Sequence, residues 1–366
     1  MAVTAHAYRL PMAAPNDVSA LARLLDLGTI RAESIVGIIA QTEGDGYARG
    51  FALQSFLLLL ARHLDQPMEV VQARLPLMMI GLCAGLMSPH MVVFTREEVA
   101  RAPSGAKRLA VGVAQTPPFR PEEIGTLAQV HAVAEATRAA MRDAGISDPA
   151  DVHCVEVKCA GLTAAKLADA QARGARLVSE NFTIAGNYSK GASALGVALA
   201  LGEVPAARIR EEAILRDWEL YSTVASTSAG GEQSGAWVLL LGNSTRSASD
   251  LVVGHGMMRD QLDLPGALDA LRSAGLRFEG LPPPEELAKL VAIFVNCGAD
   301  ATSQVRGRRH TIHTDFLAGY AGMQAKAVAN AIVGALVQDT MVLASAGWEH
   351  QGPRGANLLA VVARAG

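Results

Sequence analysis

Cysteine is scarce in this chain, and none of it is arranged for metal or redox chemistry. Cys83, Cys154, Cys159 and Cys297 form no CxxC pair and no zinc-ligand spacing. Most lie in apolar, strand-like runs, which suits buried reduced thiols. Charge is also sparse, at 18% of residues against 50% hydrophobic, so the chain is expected to be compact with little disorder. Its 366 residues are enough for two or three cores. The net charge is −3, and the one basic cluster is Arg306-Gly307-Arg308-Arg309-His310. That is too small a footprint for nucleic acid and reads as a solvated or interface loop.

Other absences narrow the field further. The longest apolar run, Phe56 to Ala61, is far short of the roughly 20 residues that span a bilayer. The start, Met1-Ala2-Val3-Thr4-Ala5-His6, lacks a basic stretch followed by an apolar one, so a cytoplasmic protein is expected. No GxSxG elbow, P-loop or dinucleotide fingerprint is present. His310-Thr311-Ile312-His313 has no third ligand nearby and no HExxH frame. The glycine-rich Thr42-Glu43-Gly44-Asp45-Gly46 lacks phosphate-loop spacing and reads as a shaped loop.

What is present is one pattern written three times. Each copy opens with a strand: Ala7 to Met12, Arg108 to Ala114, Leu251 to Gly254. An amphipathic helix follows, capped by Asn16 in the first copy, begun by Pro121-Glu122-Glu123 in the second, and spanning about Pro265 to Gly275 in the third. Second strands run over Val36 to Gln41, Val152 to Lys158 and Leu290 to Asn296. Small-residue-rich helices come next, over Arg49 to His63, Lys190 to Leu201 and Lys326 to Val337. Each copy closes with a strand, a turn and a final strand: Met91 to Thr95, Ala236 to Leu241, Leu358 to Val362. Two of the turns share Ser-Ala-Gly-x-Glu, at Ser228 to Glu232 and Ser345 to Glu349. The expected fold is α/β: three similar repeats around a pseudo-threefold axis, barrel-like, with a site at the centre. The expected units are residues 1–104, 105–247 and 248–366.

The middle copy holds the chemistry. Lys158 closes the run Val155-Glu156-Val157-Lys158-Cys159, so its ammonium is drawn toward a low-dielectric interior that lowers its pKa. A neutral lysine can take the proton of a serine hydroxyl, and Ser228 sits in the matching turn. Small residues after that serine let backbone N–H groups converge on a carbonyl oxygen. Taken alone, the same residues also fit a solvated lysine and an ordinary turn.

Longer strings narrow the choice. They are Thr42-Glu43-Gly44-x-Gly46, Arg49-Gly50-Phe51-Ala52, Ser88-Pro89-His90, Val157-Lys158-Cys159, Gly191 to Ala198, Arg306 to Thr311 and Glu349-His350-Gln351-Gly352-Pro353. In these the whole chain resembles the cyanuric acid hydrolase and barbiturase family, ring-opening amidohydrolases with a three-domain barrel-like fold. The resemblance implies a ring-shaped substrate held between three domains, each supplying a lysine, an arginine and a serine. It implies chemistry at Lys158 and Ser228, with Arg49 as the first-domain arginine and Ser345 as the third-domain serine. Ala229 and Ala346 are then the residues that offer backbone N–H groups. The implied chemistry needs no cofactor, and a homotetramer is the implied assembly.

Against that pattern the departures are directional. Gln41 stands for the first lysine, Ile80 for the first serine (followed by Gly81), and Asn296 for the third lysine. Lys190 stands for the second arginine, and no arginine lies near Met323 to Lys326. Gly298 stands where the family has a metal-binding glutamate beside Glu349 to Pro353. The expectation is a cyclic imide or ureide with one carbonyl edge replaced by carbon, hydrogen or an apolar group. Lys158 is then the base and Ser228 the nucleophile, with Arg49, Lys190, Asn296 and Ser345 orienting the remaining polar edges. Two alternatives stand beside it: ordinary cyanuric acid hydrolase or barbiturase activity, and a non-catalytic ligand-binding relative.

Overall fold

The computed structural model describes residues 2–44 and 46–366; Asp45 of the glycine-rich loop lies outside them. The first stretch contributes β1 (Ala2–Pro11), α1 (Ser19–Asp26), β2 (Ile35–Gln41), α2 (Gly46–Leu64), α3 (Met68–Arg74), β3 (Leu77–Ile80) and β4 (His90–Val99). The second contributes β5 (Arg108–Gln115), α4 (Leu127–Asp143), β6 (Val152–Ala160), α5 (Ala164–Ala172), α6 (Phe182–Leu201), β7 (Ala225–Gly230) and β8 (Trp237–Ser244). The third contributes β9 (Leu251–Met258), α7 (Leu264–Ser273), α8 (Pro284–Leu287) and β10 (Leu290–Cys297). It ends with the short β11 (Gln304–Val305) and β12 (Arg308–Arg309), then α9 (Ala321–Val337), β13 (Leu343–Ala346) and β14 (Asn357–Arg364).

The strands form three four-stranded sheets of one order: β1-β4-β2-β3, β5-β8-β6-β7 and β9-β14-β10-β13. In each, the outer pair and the middle pair are antiparallel, and the last pair is parallel. Each also has a register shift near the start of its second long strand, at Ile35/Gly37, Val152/Cys154 and Leu290/Ala292. A bulge there reverses which residues face inward for the rest of the strand. Among the described residues the sheets remain three separate hydrogen-bonded units, so the expected barrel-like closure is not formed by strand pairing.

Both faces of each sheet are covered, which is why the strands read as nearly unbroken apolar runs. The outer faces pack on helices in separate clusters, such as Val133, Ala140, Val155, Val157 and Val238 in the second sheet. The inner faces meet in one shared cluster that includes Ile39, Met78 and Phe94, then Leu109, Cys154 and Leu239, then Val253, Phe294 and Leu343. Phe94 and Phe294 stack across it with ring centroids 6.2 Å apart. These contacts bring the ends of β2, β6 and β10 to one place.

Several element starts differ from expectation for local reasons. α1 begins at Ser19, and Asp17, not Asn16, accepts from the Ala13 and Ser19 N–H groups at 2.9 and 3.0 Å; a carboxylate suits the positive helix end. Pro121–Glu123 makes only a 3-10 turn, because Gly125 at φ +81° breaks the path and Thr126 caps α4 instead. α6 begins at Phe182, capped by Asn181, which leaves Lys190 in mid-helix. Its small residues let it lie close to α4: a Cβ on Gly196 would come within 2.6 Å of the Val130 carbonyl oxygen.

Gly112 on β5 is packed so tightly that an added Cβ would run into the Ala140 carbonyl oxygen of α4. Backbone cannot yield as a side chain can, so Gly112→Ala is expected to lose about 1–3 kcal/mol. Urea unfolding should show a lower midpoint with an unchanged slope.

Candidate active site

The parallel strand pairs end in three matched rows. Gln41 pairs with Ile80, Lys158 with Ser228, and Asn296 with Ser345. Because adjacent strands in register place partner side chains on one face, Lys158 and Ser228 are neighbours by construction. Lys158 is only 2% exposed. Burial lowers its pKa; the carboxylate of Glu232 opposes that shift and the charge of Arg49 adds to it. Its Nζ lies 3.4 Å from Glu232 Oε1 and donates to the Met79 carbonyl oxygen at 3.4 Å. Among the described residues the Ser228 hydroxyl makes no hydrogen bond, so nothing else holds the nucleophile candidate.

Glu232 arrives here because the Ser-Ala-Gly-x-Glu turn folds back on itself, with its carboxylate over Gly230, where a Cβ would collide with it. The second such turn does the equivalent with a different lysine. Glu349, 1% exposed, accepts from Lys190 Nζ at 2.6 Å. The loop carrying Glu349 is docked on the second sheet's flank by His350, whose backbone is held at φ +59°. His350 Nδ1 donates to the Leu220 carbonyl oxygen at 2.5 Å and Nε2 accepts from the Leu215 N–H at 2.8 Å. That pattern requires the neutral ring, and burial pushes the imidazole pKa down in the same direction. The next residue, Gln351, accepts from the Thr227 N–H at 2.6 Å, directly beside Ser228.

The remaining residues singled out in the sequence fall around these rows. Arg49, on α2, lies across Gly81: a Cβ there would be 2.6 Å from Arg49 Cγ. Arg49 Nε is buried without a hydrogen-bond partner. Gln41 is fully buried and its amide is already engaged, donating to Cys83 Sγ and accepting from the Ala344 N–H at 2.7 Å. It therefore ties the first sheet to the third. Asn296 Nδ2 donates to the Gly347 carbonyl oxygen at 2.7 Å, while its buried Oδ1 has no partner. Ser345 is 4% exposed, Ile80 is buried, and Ala229 and Ala346 are partly exposed at the turns.

The cation that α9 brings is a lysine, not an arginine. Lys326 on α9 is 5% exposed and donates to the Gly81 carbonyl oxygen at 2.7 Å. Burial pushes its pKa down, nearby thiols oppose, and the charges of Arg49 and Lys190 add to the lowering. Arg49, Lys190 and Lys326 thus bring one cation from each of the long helices α2, α6 and α9. Glu232 and Glu349 were visible only as letters of the turn motif, with nothing to mark them as partners of distant lysines.

The residues do not fit the divalent metal that the resemblance implies. A side chain at Gly298 would run into the Ala356 carbonyl oxygen, and Glu349 is already paired with Lys190. Among the described residues no three or more His, Cys, Asp or Glu side chains converge as a metal site.

The sequence pattern of the amidohydrolase ring-opening proteins matches residues 6–364. The chain belongs to that family. It is 43% identical to a cyclic amide hydrolase of Azorhizobium caulinodans over 98% of this chain and 99% of that one. It is 42% identical to a cyanuric acid amidohydrolase of Enterobacter cloacae, over 98% and 99%. A solved cyanuric acid hydrolase superposes with a TM-score of 0.94 at 38% identity, covering 100% of both chains. This ring-opening amidohydrolase is thus a hydrolytic enzyme with the mixed α/β fold of that structure. Among the described residues, no helix is long and apolar enough to cross a membrane.

The Lys190–Glu349 pair gives a direct stability test. Lys190→Met strands a buried carboxylate, which typically costs about 3–5 kcal/mol. Denaturant unfolding should show that loss, and Lys190→Met/Glu349→Gln should recover a large part of it.

Proposed function

We propose that this amidohydrolase opens a small cyclic imide or ureide through a Ser228–Lys158 pair, at a site where three structurally similar units meet around a pseudo-threefold axis. The single observation that carries the reading is the register pairing of a 2%-exposed lysine with a serine on the adjacent parallel strand. The other two rows lack one or both members of that pair. The 42% identity to a protein named cyanuric acid amidohydrolase supports the reaction class.

In the proposed cycle Ser228 Oγ attacks a ring carbonyl carbon while its proton passes to Lys158 Nζ. The carbonyl oxygen becomes an oxyanion facing the backbone N–H group at Ala229, since the alternating ladder turns the Ser228 N–H toward β6. The C–N bond then breaks, and the Lys158 ammonium returns its proton to the leaving ring nitrogen. Water next attacks the acyl-serine, Lys158 accepts a water proton, and that proton goes to the departing Ser228 oxygen. Glu232, 3.4 Å from Nζ, stabilises the ammonium between the two transfers. Arg49, Lys190 and Lys326 orient the polar edges of the ring, with Asn296 and Ser345 on the third side.

The first row sets the choice of ring. Ile80 presents hydrocarbon, and both ends of the Gln41 amide are already engaged, by Cys83 and Ala344. A ring carbonyl directed at the Ile80 side chain would lose its water without gaining a donor from it, a penalty of several kcal/mol. The favoured substrate therefore carries carbon, hydrogen or an apolar group on that edge.

A panel of barbituric acid, cyanuric acid, hydantoins and five- and six-membered imides, followed by loss of ring absorbance, tests this reading. Ser228→Ala and Lys158→Met should each lower kcat by at least about 10³-fold. Ile80→Ser should raise kcat/KM for cyanuric acid relative to the preferred ring by more than about tenfold. Turnover that survives Ser228→Ala would overturn the mechanism, and cyanuric acid as the best native substrate would overturn the proposed ring.

A further inference from the structure

Two residues inward from each row, the inner face should be hydrocarbon, and in two sheets it is: Ile39 pairs with Met78, and Phe294 with Leu343. In the second sheet the same place holds Glu156 paired with Ser226. Glu156 is 6% exposed, shares its strand face with Lys158, and lies one pleat beneath it, roughly 7 Å along the strand. It also lines a small cavity of about 10 Å³ together with Ser226 and Asn296. Asn296 is the residue whose buried Oδ1 has no partner. A cavity of that size holds about one water, and these side chains supply the polar groups that such a water needs.

We propose that Glu156 is a positioning residue that governs the proton on Lys158. Ionised, it adds to the hold of Glu232, 3.4 Å from Nζ, on the ammonium; neutral, it leaves Lys158 to Glu232 and easier to deprotonate, as the amine that accepts the Ser228 proton. This rests on the hydrolytic reading above. Burial raises the Glu156 carboxyl to about 7, against weaker lowering by hydrogen bonds from Ser226 and Cys154. The other titratable groups around it stay neutral there. Burial holds the Cys154 thiol well above its usual value, and the His153 imidazole, which lines the same cavity, down at about 4. His153 shares a 2.8 Å Nδ1–Nδ1 hydrogen bond with His255, which burial also lowers. Ser226 on β7, Asn296 and Phe294 on β10, and Leu358 to Ala360 on β14 complete the surround without adding a charge.

The test is an NMR titration of Lys158 Nζ in the whole protein, assignable among six lysines through Lys158→Met, alongside the pH profile of kcat/KM. Glu156→Gln should lower the Lys158 midpoint by about one unit, a tenfold change in proton affinity, and move the acid limb of the rate profile with it. Ser226→Ala, which makes Glu156 harder to ionise, should move both the same way by less, and serves if Glu156→Gln folds poorly. Stability supplies a readout independent of turnover. A carboxyl raised on folding costs stability as pH climbs from its ordinary 4.5 to about 7. Glu156→Gln should remove that decline. An unmoved Lys158 midpoint in both variants overturns the proposal, whatever the rates do. A shifted midpoint in a protein that turns over no ring upholds Glu156's control of the lysine and refutes the hydrolytic reading instead.

Discussion

An ammonium buried where three sheets meet is unfavourable by several kcal/mol unless something answers it, and that constraint organises the centre of this molecule. Lys158, Lys190 and Lys326 are all largely removed from water. Each is answered differently: Lys158 by a partly exposed carboxylate at 3.4 Å, Lys190 by a buried one at 2.6 Å, and Lys326 by a carbonyl oxygen at 2.7 Å. Lys158, with a longer and more exposed partner, is the one placed beside a free serine hydroxyl.

The two Ser-Ala-Gly-x-Glu turns supply those carboxylates, so the same short motif has two consequences. In the second sheet it puts Glu232 over its own strand end, next to Lys158. In the third it sends Glu349 across to α6, where the pair with Lys190 helps dock the loop that also places Gln351 on the Thr227 N–H. Loss of the motif at Ile80-Gly81-Leu82-Cys83-Ala84 removes both serine and glutamate from the first sheet. There Gln41 donates to the Cys83 thiol and the Lys326 ammonium to the Gly81 carbonyl oxygen. The asymmetry of the three rows is thus partly compensated locally, while Arg49 keeps a buried Nε without a hydrogen-bond partner in the same corner.

Family membership and the register pair Lys158–Ser228 bear on different questions. The first identifies the fold and the class of reaction; the second concerns which atoms carry it out. Between them lies substrate choice, which on the proposed reading turns on Ile80, Gln41 and the three helix cations, because a site rejects a ring mainly by leaving polar groups without partners.

Much was legible in the sequence because it depends on local periodicity. Apolar runs, glycine stops and repeated turn letters identified the strands and the bodies of the long helices, and the lysine–serine pair needed only the ends of two strands. The misplaced starts, at α1, α4 and α6, came from caps and a positive-φ glycine whose partners lie a few residues away. What only the tertiary structure decided was every pairing between distant segments. Lys190 meeting Glu349, Lys326 meeting Gly81, Gln41 meeting Ala344, and Glu156 lying in an otherwise apolar layer all depend on how three sheets face one another. Sequence periodicity says which face a side chain takes, but the charge it meets there is set by packing across more than a hundred residues of chain.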